Sequence, residues 1–179
     1  MNAFRPWIIL MLFAVLQAAC SSEQPTAAPA YRTTQPSLLF FKNMRSSYYR
    51  ATEEPESRII YYHLNRWRSN AGPDQVWQVV IASDWLNDRA FLVPEWGENR
   101  PVRLTYIDDE GTEQELDLPR PAPSFQTDWL LALARLVEDG NEIIAHFPDD
   151  QSERLLADAA SKACFLTVVK DYLRLTEQS

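Results

Sequence analysis

The chain has 179 residues, with 17 Lys/Arg against 25 Asp/Glu, a formal net charge of −8 at pH 7, four glycines and two cysteines. Such an acidic balance repels nucleic-acid phosphates, so no nucleic-acid partner is expected. Two cysteines exclude a disulfide-rich scaffold, and the length fits one domain with its own hydrophobic core.

The N-terminus is built as an address. Arg5 supplies an early positive charge, Trp7 to Leu16 is an unbroken apolar run, and Gln17-Ala18-Ala19-Cys20 leads into small polar residues. That order is the build of a secretory signal. The run is about half the roughly 20 residues that span a bilayer as a permanent helix. Leu16-Gln17-Ala18-Ala19-Cys20-Ser21-Ser22 resembles the lipobox of bacterial lipoproteins, with Gln17 where that pattern usually has Leu. The resemblance implies a signal peptide over 1–19 and an acylated Cys20, with palmitate among its chains. Ser21 in place of Asp implies sorting to the periplasmic face of the outer membrane. The competing reading is secretory cleavage after Ser21, with Ala19 and Ser21 as the small residues and Cys20 discarded.

Ser21 to Ser37 has three prolines and no periodicity, so residues 20–37 read as a lipidated cysteine and disordered tether, and 38–179 as a single domain. Charge divides unevenly along it. Residues 30–70 carry seven Lys/Arg against Glu53, Glu54 and Glu56, a net of +4; residues 71–179 carry nine against 21 acids, a net of −12. Once Cys20 is acylated, Cys164 is a lone thiol. Its neighbours Ala163, Phe165 and Leu166 predict that it is buried and inert.

Leu38 to Phe41 opens the folded part, and Ala51 to Ser57 is an acidic, Pro55-containing loop. Arg58 to Leu64 reads as a strand apolar on both faces, followed by a turn over 69–74 and strands at Gln75–Ser83 and Arg89–Val93, the latter ending at Pro94. Val102, Leu104 and Tyr106 alternate with Arg103 and Thr105; a hairpin loop at 108–111 returns the chain through Thr112 to Leu118, with Leu116 and Leu118 inward. Pro119 to Pro123 marks the crossover to helices. Trp129, Leu130, Leu133, Leu136 and Val137 repeat at helical spacing up to Asp139-Gly140. Glu142 to Phe147 is a strand, and an acidic turn at Asp149-Asp150 starts a final helix carrying Leu155, Leu156, Ala159, Ala163, Leu166, Val169 and Leu173 on one face. Within it, Cys164 to Val169 has strand-like propensity. The expected class is α+β: a mostly antiparallel twisted sheet of about six strands with two C-terminal helices. The helix–Gly140–strand–helix tail from Leu130 to Leu173 resembles the C-terminal layout of invasion-associated locus B–type periplasmic proteins.

No phosphate loop or nucleophile elbow is present in the sequence. His63 and His146 each fall within an apolar strand, the usual place for a hydrogen-bonded core histidine. With Cys164 they fall short of a zinc ligand set, and no metal or cofactor is expected. The acidic pairs 108–109, 138–139 and 149–150 sit at turns and helix ends, where solvation and capping explain them. Less explained are Tyr48, Tyr49, Arg50, Tyr61, Tyr62, Arg66, Trp67 and Arg68, since aromatic and Arg residues dominate interface hot spots. Simple sheet packing is the plainer account. The sequence therefore suggests an anchored, non-enzymatic envelope protein that binds another envelope protein, with Tyr61, Arg66, Trp67 and Arg68 as candidate contacts. The alternative is an exported hydrolase or carbohydrate-binding domain with an aromatic cleft and carboxylates, such as Asp84 and Asp88 beside Trp85, or a pair near Trp96.

Overall fold

The computed structural model describes residues 31–70, 77–97, 100–108 and 110–178, apart from the side chains of 68–70. Cys20 and the expected signal lie outside the described residues.

The chain begins with a short helix α1 (Gln35–Phe40). It is capped by Thr34, whose hydroxyl accepts from the Ser37 amide while the Ser37 hydroxyl accepts from the Thr34 amide. A π-type turn (Phe41–Arg45) and a 3₁₀ turn (Ser46–Tyr48) continue it. Four antiparallel strands follow: β1 (Tyr49–Glu54), β2 (Ile59–Leu64), then helix α2 (Asn65–Asn70), β3 (Trp77–Asp84) and β4 (Arg89–Trp96), ordered β1-β2-β3-β4. A second four-stranded sheet contains β5 (Arg103–Ile107), β6 (Glu113–Leu116), β7 (Glu142–His146) and β8 (Ser152–Leu155), in the order β6-β5-β7-β8, all pairs antiparallel. Helix α3 (Pro123–Glu138) separates β6 from β7, and α4 (Ala159–Leu175) ends the fold.

The α+β class holds, with eight strands in two sheets in place of about six in one, and four helices in place of two, among the described residues. The two strands not expected, β1 and β8, are edge strands of polar sequence with one buried residue each, Tyr49 and Leu155. β8 occupies the stretch expected to start the last helix, which begins instead behind the Asp158 cap. Strand β4 runs through Pro94 to Trp96, which is allowed because it lies at a sheet edge and Pro need not donate outward. Leu118 is exposed, not inward. Cys164 to Val169 is helical, and its apolar run buries Cys164, Phe165, Val168 and Val169.

One core joins the two sheets through the helices. Val79, Ile81 and Leu92 from the first sheet meet Leu104, Ile143 and Ala145 from the second, with Leu130 and Leu133 of α3 and Phe165, Val168 and Tyr172 of α4 among them. The described part of the expected tether, residues 31–37, is packed on this body. Arg32 bridges to Arg89, the Thr33 amide donates to the Asp88 carbonyl at 2.8 Å, and the Tyr31 hydroxyl donates to Asp128 at 2.7 Å.

Candidate functional site

Strand alternation gives the first sheet two faces. Tyr49, Tyr62, Leu64, Val79, Ile81 and Leu92 point into the core. On the opposite face, Tyr61, Ala82 and Phe91 stand in one row across β2, β3 and β4, and Val80 pairs with Val93 in the next. Val80 and Ala82 are buried there outside the main core. Beside this apolar strip His63 Nε2 lies 3.1 Å from Glu95 Oε1, and the Gln78 amide donates to Glu95 Oε2 at 2.6 Å. The hydrogen bond from His63 is the largest influence holding the Glu95 carboxyl below its ordinary range, with Gln78 adding to it against partial burial. Burial is the first cause that raises the Tyr61 phenol, followed by the charges of Glu54 and Glu95. This half-exposed face combines aromatic area with a fixed polar network.

The four candidate contacts are not gathered on one surface. Tyr61 is on that face. Trp67 is 3% exposed and meets Trp77 and Phe165 edge-on, with ring centroids 6.2 and 6.4 Å away. Arg66 donates to the Thr167 hydroxyl of α4 at 3.4 Å, and the Arg68 side chain lies outside the described residues. Of the carboxylates suggested near Trp85, that of Asp84 is engaged at the β3–β4 turn, and Asp88 lines a cavity beside Tyr31. Asp84 accepts from the Asn87 side chain at 2.7 Å, and Asp88 adopts a left-handed conformation. Trp96 stacks on Trp77 at 5.4 Å, against the core.

Two features were not foreseen. On the outer face of the second sheet, His146 Nδ1 lies 2.8 Å from Ser152 Oγ and its Nε2 lies 3.0 Å from Thr105 Oγ1, with Glu113 Oε1 at 3.5 Å. These residue types also make up hydrolytic triads, but here they tie β5, β7, β8 and β6 together, and they line neither the groove beside α3 nor the cavity at Tyr31. The second feature is a groove of about 680 Å³ between the β5–β6 hairpin and α3, where Tyr106 and Trp129 accompany Glu115, Asp117 and Arg135. A cavity of about 610 Å³ at Tyr31, Asp88, Arg89 and Phe91 lies by the N-terminal bridge. Among the described residues no group of three or more His, Cys, Asp or Glu is placed to hold a metal ion, and no helix is long and apolar enough to cross a membrane.

Comparison of the chain with family models, curated proteins and solved structures found no match.

Proposed function

We propose that the protein is an exported, Cys20-anchored envelope lipoprotein that binds another envelope protein without catalysing a reaction. Support for the anchor comes from the order Arg5, apolar Trp7–Leu16, Ala18-Ala19-Cys20. The observation that carries the binding reading is the second face of the first sheet. There Tyr61 and Phe91 flank Ala82 beside the fixed His63–Glu95–Gln78 network. Aromatic anchors set beside polar groups held in place by hydrogen bonds are what a protein-binding face needs, although His63 Nδ1 is buried without a partner among the described residues.

The anchor is tested by metabolic labelling with a fatty-acid analogue: label enters the wild type and is lost in Cys20→Ser. Equal labelling of both chains sinks the anchor. The face is tested by cross-linking in intact envelopes. Tyr61→Ala is expected to lose a cross-linked species at unchanged protein level, and retention of that species rejects the face.

A second reading, an exported carbohydrate-binding or hydrolytic domain, draws on the groove where Tyr106 and Trp129 accompany Glu115 and Asp117. Two carboxylates and aromatic walls are the materials of a sugar site. Binding or cleavage of a cell-wall glycan by the wild type, lost in Glu115→Gln, would favour it over the first reading.

A further inference from the structure

Helical segment 35–48 is packed the wrong way round for water. It buries Ser37 and Phe41, yet Leu39, Phe40, Met44 and Tyr48 are 56%, 45%, 60% and 55% exposed. Nine large apolar side chains are exposed among the described residues, and four of them fall within residues 39–48. Leu39, Phe40, Met44 and Tyr48 follow one another along the exposed side of this segment, whose inner side is set by Ser37 and Phe41, and so form an apolar ridge. A cluster of this kind marks a surface that something else covers.

Two observations say what covers it. The first is charge. Residues 31–52 contain Arg32, Lys42, Arg45 and Arg50 and no acid. Arg45 is taken up by Asp171 at 2.8 Å, while Lys42 is exposed in the same segment, between Phe40 and Met44 in sequence. The second is chain length. Cys20 precedes Tyr31 by eleven residues, which extend to at most about 40 Å. Tyr31 is already fixed to the domain through Asp128 and the Ala90 amide, four residues before α1. An anchor at Cys20 therefore keeps the point where the chain enters the domain, four residues before α1, within about 40 Å of the bilayer that carries the acyl chains.

We infer that residues 39–48 form a membrane-docking ridge: Leu39, Phe40 and Met44 enter the boundary between headgroups and acyl chains, and Lys42 meets anionic headgroups. The inference rests on the anchored reading for its proximity argument, though the ridge itself does not require acylation. Exposed apolar side chains with a basic residue among them in sequence are what an interfacial segment presents. Docking fixes the orientation of the domain, whereas an anchor alone leaves it free to turn.

The test uses the full-length chain, purified from membranes and added to vesicles of phosphatidylcholine with or without phosphatidylglycerol. A polarity-sensitive dye is attached at Met44→Cys, with Glu110→Cys on the β5–β6 turn as the comparison position. Cys164 is buried and stays unlabelled, an acylated Cys20 has no free thiol, and an unacylated chain is read in the Cys20→Ser background so that only position 44 or 110 carries dye. Mass spectrometry of the N-terminal peptide reports acylation separately. The expected result is a blue-shifted emission at position 44 and none at 110. The shift should be lost in Leu39→Ser with Phe40→Ser, and docking to anionic vesicles should weaken about fivefold in Lys42→Ala. An acylated chain that stays on the vesicles without a shift at 44 overturns the docking and leaves the anchor standing. An unacylated chain that still shows the shift removes the anchor and supports the docking; an unacylated chain without it rejects both. A shift seen in native envelopes but not in pure lipid overturns the membrane as occupant in favour of a protein.

Discussion

Asp171 is 2% exposed, and its two oxygens accept from Arg45 Nε at 2.9 Å and Nη2 at 2.8 Å and from the Tyr49 hydroxyl at 2.7 Å. Burial raises the Tyr49 phenol first, and the Asp171 charge adds to it, so Tyr49 remains a donor at any ordinary pH. The three groups tie the N-terminal segment to α4. Removing one partner of a buried pair costs about 3–5 kcal/mol. Arg45 is 24% exposed and can recover water, which puts Asp171→Ala near the lower end, about 3 kcal/mol by urea denaturation. A loss under 1 kcal/mol would mean that the network is not stabilising. Glu95 makes a pH prediction. Its folded-state value is held below the unfolded one, about 4.3, so its contribution is present above that pH and is lost as pH falls through the lowered value. Glu95→Gln should flatten the fall of Tm with acid below about pH 5. Parallel Tm–pH curves for both proteins would refute it. Cys164 is 0% exposed in α4, so a thiol reagent should react slowly with native protein and rapidly once denaturant is added.

At the scale of elements, α3 stops where its backbone reverses hand. Asp139 is still helical, Gly140 has φ +91°, and the Gly140 and Asn141 amides donate back to Val137 at 3.2 Å and Leu136 at 3.0 Å. Nothing lies within 4 Å of a Cβ added to Gly140. Gly140→Ala therefore meets no clash, and its cost is conformational, about 1 kcal/mol, read as a shift in the urea midpoint. This stop was legible because Gly after a helical repeat has one common explanation. So were β2, β3 and the β5–β6 hairpin, whose apolar residues are dense or alternate. β1 and β8 were not legible: Tyr-Arg-Ala-Thr-Glu-Glu and Ser-Glu-Arg-Leu bury one residue each, so hydrophobic periodicity has nothing to report. The Pro94 boundary failed for a different reason, since sequence does not say which strand will be an edge. The candidate contacts were legible as residue types but not as a surface. Tyr61 and Trp67 are six residues apart, with the chain passing from β2 into α2 between them, and only Tyr61 faces away from the core. The His146–Ser152–Glu113 contacts join β7, β8 and β6, and no local pattern could announce them.

For the molecule as a whole, the two sheets share one core, and Trp67 and Tyr61 sample its two sides. The Trp67 indole sits against Trp77 and Phe165, so it links α2, the first sheet and α4. Truncating a buried aromatic of this kind costs about 3–5 kcal/mol through lost burial and a residual cavity. Trp67→Ala should lower Tm sharply in a single cooperative transition, because the core runs without a break between the sheets. Tyr61 is half-buried on the opposite face, so Tyr61→Ala should cost much less and leave the transition cooperative. The pair makes a control for any binding experiment. Partner recovery per folded molecule, with the folded fraction fixed by circular dichroism, should fall in Tyr61→Ala and stay near wild type in Trp67→Ala. The reverse order, with Trp67→Ala folded and inactive in binding, would show that the tryptophan is presented to a partner and would reject the face around Tyr61.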